Sequence, residues 1–171
     1  MMRSGKVISL ILVAVLLLTS CSEQKRYGHC EMFIRLSDDF YEYDSGGVYD
    51  VAYTDGGMVV GILRISYDVC IDEDIPANMS PIYFAPLYKE LALSDADVSE
   101  LREHGDVPYY VYTTNASGDS SHTYVATFYF TPYAYFVITY IVKSFDYLLS
   151  EGDILEYAAS AYIDIEYAQK K

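Results

Sequence analysis

Three histidines, His29, His104 and His122, bound the acid-base chemistry open to this chain. A serine nucleophile needs a histidine to take its proton and a carboxylate to orient that histidine. Ser120 and Ser121 adjoin His122, but no G-x-S-x-G turn surrounds them to raise a hydroxyl above a sheet. His29 follows a polar lead-in, and His104 stands at an expected helix end, where a cation complements the macrodipole. Zinc would call for H-x-H, H-E-x-x-H or paired C-x-x-C spacing; none occurs, so no metal site is expected. Asp95, Asp97 and Glu100 offer oxygens, but Glu100 stands where an EF-hand needs glycine, and Asp72-Glu73-Asp74 reads as a solvated turn. Gly56-Gly57 and Gly61 do not make a phosphate-cradling G-x-G-x-x-G, so no cofactor is expected. Carboxylate pairs for glycoside hydrolysis come from distant strands, and spacing alone neither finds nor removes one among 25 acidic residues.

Cysteine chemistry is more informative. Arg3 and Lys6 precede an apolar run from Val7 to Leu18 broken only by Ser9, the layout of a secretory signal peptide. Twelve helical residues rise about 18 Å, short of the roughly 30 Å of hydrocarbon that a spanning helix crosses. Leu18-Thr19-Ser20-Cys21 follows and resembles the lipobox of bacterial lipoproteins. The resemblance implies removal of residues 1–20, a diacylglyceryl group on the Cys21 thiol, and a protein held by acyl chains such as palmitate to a membrane of the cell envelope, outside the cytoplasm. One acyl chain holds a protein marginally and two or three hold it firmly. With Cys21 acylated, Cys30 and Cys70 remain as one candidate disulfide or two reduced thiols.

The net charge is −14, and the leader holds two of the 11 basic residues and none of the acidic ones, so the remainder is more acidic still. Such a surface repels phosphate backbones and anionic head groups, which excludes nucleic acid as a partner and excludes electrostatic membrane docking. The chain has 20 Tyr and no Trp. Tyr forms strands and has an apolar body with a polar tip, so these residues either fill half-buried sheet faces or form an exposed aromatic platform. Tyr109, Tyr110, Tyr112, Tyr124, Tyr129 and Tyr133 are the candidates for that platform; alternation places Tyr109 on one face of its strand and Tyr110 and Tyr112 on the other.

The elements expected to position these residues make one domain over residues 32–171, after a polar tether over 21–31. Strands are expected around Phe33–Leu36, Phe40–Tyr43, Val48–Thr54 and Met58–Tyr67, the last two joined at Asp55-Gly56-Gly57, where positive φ is tolerated. Four successive antiparallel strands would bring Cys30 and Cys70 to the same end of a sheet. Pro86 suits the first turn of a helix through Leu93, and Ser94-Ala96-Asp97 suggests a second helix closed by Gly105. Strands return over Val107–Thr113, Tyr124–Thr131 and Tyr133–Val142. Ser150-Glu151-Gly152-Asp153 resembles a capping box, and Ile154, Leu155, Ala158, Ala159, Tyr162 and Ile163 follow at helical spacing.

The expected class is therefore α+β: an antiparallel sheet of about six or seven strands covered by a C-terminal helix and one or two short helices. This element order resembles the PsbP-like fold group, which implies a non-enzymatic binding or assembly module and carries over no functional residue. Two functional classes stand: an envelope lipoprotein binding a protein, peptide or glycan, and a hydrolase or metal-dependent enzyme with a site of scattered carboxylates and a histidine.

Overall fold

Met58–Ser66 and Ala134–Lys143 are dominated by β-branched, aliphatic and aromatic residues, and they pair as neighbouring central strands. The computed structural model describes residues 24–72, 75–114 and 121–168. Cys21 and its lipobox lie outside the described residues, as do Glu73, Asp74 and Ser120.

The described strands are β1 (Gln24–His29), β2 (Met32–Ser37), β3 (Tyr41–Glu42), β4 (Val51–Thr54), β5 (Met58–Ser66), β6 (Ala96–Val98), β7 (Arg102–His104), β8 (Val107–Thr114), β9 (His122–Phe130), β10 (Ala134–Lys143) and β11 (Tyr162–Ile163). The helices are α1 (Tyr67–Asp72), α2 (Pro81–Ala92), α3 (Tyr147–Ala159) and α4 (Ile165–Ala168). One antiparallel sheet runs β3-β4-β5-β10-β9-β8-β6 with β7 also on β8, and β1-β2-β11 form a second. The architecture is α+β, as the pattern implies, with more strands than expected and a separate small sheet.

Alternation gives the large sheet two buried faces. On the first, Val60, Ile62, Phe136, Ile138 and Tyr140 meet Ile34 and Leu36 of β2 and Ile154 and Ala158 of α3. On the second, Ala126, Phe128, Tyr135 and Val137 meet Cys70 of α1 and Phe84 and Ala85 of α2.

Several expectations change. Residues 24–29 are not part of a tether: they form β1, which pairs with β2. This strand is polar because its outer side is solvated, and Arg26 lies 3.6 Å over the Phe33 ring while bonding Asp164 at 2.8 Å. Since β2 belongs to the small sheet, the expected run of four consecutive strands does not exist. Cys30 packs toward the first face and Cys70 is buried in the second, so of the two alternatives the candidate Cys30–Cys70 disulfide is not the one formed.

Residues 96–98 and 102–104 are strands where a helix was expected. Both β6 and β7 pair with β8, which satisfies backbone groups that an open edge would leave to solvent, and this outweighs the local capping signal. Gly105 does take positive φ (+60°), but it closes the β7–β8 turn. Pro81, not Pro86, occupies the first turn of α2; Pro86 lies inside, where burial of Phe84 and Ala85 offsets a missing N–H donor. Helix α3 begins at Tyr147 rather than at the Ser150 capping box and ends at Ala159. Ser160 Oγ then accepts the Arg35 N–H at 3.0 Å, directing Tyr162 and Ile163 into β11 rather than onto the helix face.

Candidate functional site: an aromatic groove at the open end of the second face

Across the large sheet, Ala52, Gly61, Thr139, Ala126 and Tyr110 share one row of the second face. Four small residues in succession leave a trough, and the ring of Tyr49 fills part of it. A Cβ built on Gly61 would stand 2.5 Å from that ring, so glycine here serves close approach rather than positive φ. Burial pushes the Tyr49 hydroxyl up to about 12, partly opposed by a hydrogen bond from Thr139. Gly61→Ala is expected to displace the ring and lose about 1–3 kcal/mol, the usual range for overpacking. Urea denaturation reads the loss, and alkaline difference absorbance reads Tyr49 titrating nearer its ordinary value; a variant unchanged in both removes Tyr49 from this position.

The next row, Thr54, Val59, Ile141, Tyr124 and Tyr112, lies beyond Tyr49. His122 and Lys143, paired across β9 and β10, form the row after that. Here the second face opens into a groove of about 420 Å³ with Val59, Ile141 and Tyr124 among its lining residues, Tyr43, Val48 and Tyr49 on one side, and His122 and Lys143 at its end.

Local chemistry holds both walls. In the 44–50 segment, Gly46 and Gly47 take positive φ, Asp44 Oδ1 accepts the Gly46 N–H at 2.9 Å, and Ser45 Oγ accepts the Tyr49 N–H at 3.2 Å. In the β4–β5 hairpin, Asp55 Oδ1 accepts the N–H groups of Gly57 (2.8 Å) and Met58 (2.7 Å), and only Gly56 takes positive φ. Tyr124 stacks on Tyr112 with ring centroids 5.0 Å apart, and desolvation pushes the Tyr112 hydroxyl far above its ordinary value. His122 Nδ1 and Ser121 Oγ are 2.8 Å apart.

Of the two readings of the tyrosines, the half-buried sheet faces are the one found, and the six candidates do not gather into an exposed platform. Tyr109 does face opposite to Tyr110 and Tyr112, but helices or strands cover both faces and all three are buried. Tyr129 is half-buried and donates to the Ala158 carbonyl at 2.9 Å, and Tyr133 is exposed, apart from the groove lining. Of the six tyrosines, Tyr124 alone is in that lining.

His122 is in the groove, whereas His104 is exposed on β7 and His29 ends β1. No carboxylate is among the described lining residues, and no group of three or more His, Cys, Asp and Glu able to hold a metal exists among the described residues. Tyr43, Tyr49, Val59, Ile141 and Lys143 were not singled out by sequence. Gly61, inside an otherwise bulky strand, was the one signal that another group comes close.

The architecture is similar to that of a cyanobacterial protein. The solution structure of PsbP (CyanoP) from Synechocystis sp. PCC 6803 matches at 14% identity, covering 85% of this chain and 95% of that one, with a TM-score of 0.48. No protein-family model and no curated protein matches the chain.

Proposed function

We propose that this chain is a non-catalytic cell-envelope lipoprotein, anchored through Cys21, whose groove holds an apolar side chain of a protein or peptide partner beside a carboxylate. The supporting observation is the groove itself: an apolar and aromatic floor with a few convergent polar groups is the usual form of a ligand site. Lys143 makes none of the salt bridges found among the described residues, which leaves its charge at the rim available to an anionic group in a strongly acidic molecule. An anionic group on the partner would complement it. The enzyme alternative needs carboxylates beside His122, and none is among the described residues that line the groove.

The test uses three probes on the full chain: N-acetylphenylalanine, its uncharged amide, and an N-acetylglucosamine trisaccharide. NMR is expected to show the acid shifting the His122 and Tyr124 resonances and binding more tightly than the amide. Lys143→Gln should weaken the acid about 2- to 5-fold, the worth of one exposed ion pair, and leave the amide unchanged. Preference for the trisaccharide would make the groove a glycan site; silence with all three would sink the reading. The anchor is tested separately by mass spectrometry of the native N-terminal peptide, expected to begin at an acylated Cys21.

A further inference from the structure

The outward stripe of α3 changes character along its length. Phe145, just before the helix, and Leu148 and Leu149 in its first turn are 77%, 81% and 84% exposed, more open than any other large apolar residue described. Gly152, Asp153 and Glu156 continue the stripe at the helical spacing of three and four. Its lower part meets the beginning of the described chain: Gln24 Nε2 donates to Glu156 Oε1 at 3.3 Å.

That contact limits where a lipid on Cys21 can be. Only Ser22 and Glu23 separate Cys21 from Gln24, so three steps along the chain reach at most about 11 Å. Leu148 lies eight residues before Glu156, about 12 Å along the helix. The exposed leucines and the exit point of the anchored chain therefore share one side of the domain, within a helix's length of each other. Lys143, whose Nζ lies 5.8 Å from the centre of the Phe145 ring, adds a cation able to reach head-group phosphates while the ring is buried.

We infer that Phe145, Leu148 and Leu149 insert into the interface of the bilayer that holds the Cys21 lipid, so that α3 lies along the membrane and fixes which way the domain faces. The inference rests on the lipoprotein reading. Acyl chains supply the affinity, and the apolar turn supplies the orientation. Asp153 and Glu156 on the same stripe favour zwitterionic lipid over anionic lipid.

The chain has no tryptophan, so Leu148→Trp creates a single emitter at an already exposed position, and Tyr83→Trp, on α2 at the opposite face of the sheet, is its control. Each full-length protein, isolated from a lipoprotein-processing host, is reconstituted in phosphatidylcholine vesicles with bromine on the upper acyl chain. Tryptophan 148 should be quenched severalfold more than tryptophan 83, and adding Leu149→Glu should remove most of the difference. Mass spectrometry of the same preparation reports the lipid. An unacylated N-terminal peptide overturns the lipoprotein reading and this inference with it. An acylated protein with equal quenching at both sites overturns the inference alone. So does blue-shifted but unquenched emission at 148, which would give the face to a second copy or another protein.

Discussion

Phe84→Ala is expected to destabilise the protein by about 3–5 kcal/mol, a large share of the 5–15 kcal/mol typical of a domain. Phe84 is 1% exposed and is the side chain through which α2 enters the second face. Its ring lies 3.9 Å from that of Tyr135 at 3° and meets Phe128 edge-on at 6.1 Å. A nearly parallel sandwich gains little from ring quadrupoles, so the loss should come from burial and from the cavity left behind. Phe84→Leu separates these contributions: it keeps most of the volume and should lose under about 1.5 kcal/mol. The consequence reaches beyond the helix, because Tyr135 Oη donates to the Pro76 carbonyl at 2.6 Å and accepts the Met79 N–H at 2.8 Å. Loss of the stacked ring frees Tyr135 to move and loosens that segment as well. Urea unfolding followed by near-ultraviolet circular dichroism measures both; a loss below about 1 kcal/mol would mean that α2 is held by something other than Phe84.

Elements whose pattern is set by local burial were readable from sequence, and those set by distant pairing were not. Strands β8, β9 and β10 are dense in Tyr, Phe, Val, Ile and Thr, and their expected limits differ from the observed ones by a few residues. The expected Ile154 and Ala158 face of α3 is buried as its spacing implies. By contrast, Arg102-Glu103-His104 is exposed at all three positions, and only the free edge of β8 makes it a strand. Gln24–His29 likewise pairs because β2 offers an edge, a fact absent from its own polar residues. Ser94-Ala96-Asp97 is a sound local capping signal that lost to this competition for edges.

The groove was less legible for a related reason. Tyr124 and His122 were singled out, but for an exposed platform and an acid-base role. What joins them to Val59, Ile141 and Lys143 is the register of the β9–β10 hairpin against β5, a strand distant in sequence. What makes space beside them is a row of small residues on four strands that alternation alone does not align. Burial of Tyr109, Tyr110 and Tyr112 follows from helices and strands covering both faces, so the abundance of tyrosine mostly describes core packing.

The second large effect is expected at a charge that no patterning rule would place inside. Glu31 is 2% exposed, accepts a hydrogen bond from Thr131 Oγ1 at 2.9 Å, and lies 3.6 Å from Arg64 Nε. That separation is too long for a hydrogen bond, and the buried Nε has no hydrogen-bond partner among the described residues, so the guanidinium acts through charge. The group sits where the turn between β1 and β2 meets β5 and the lead-in to β10, and it ties the small sheet to the large one. Arg64→Met removes the countercharge and leaves a carboxylate in the interior, a change that generally costs 3–5 kcal/mol. Arg64 is 27% exposed, so solvent already screens the pair and a loss of about 3 kcal/mol is expected. Adding Glu31→Gln to that variant keeps an acceptor for Thr131 while removing the buried charge. The double variant should therefore recover more than about 1 kcal/mol relative to Arg64→Met, because the penalty lies in the unpaired charge and not in the lost contact. Equal stabilities for the single and double variants in urea unfolding would show that Glu31 draws its stabilisation from Thr131 and the surrounding backbone, with Arg64 a bystander.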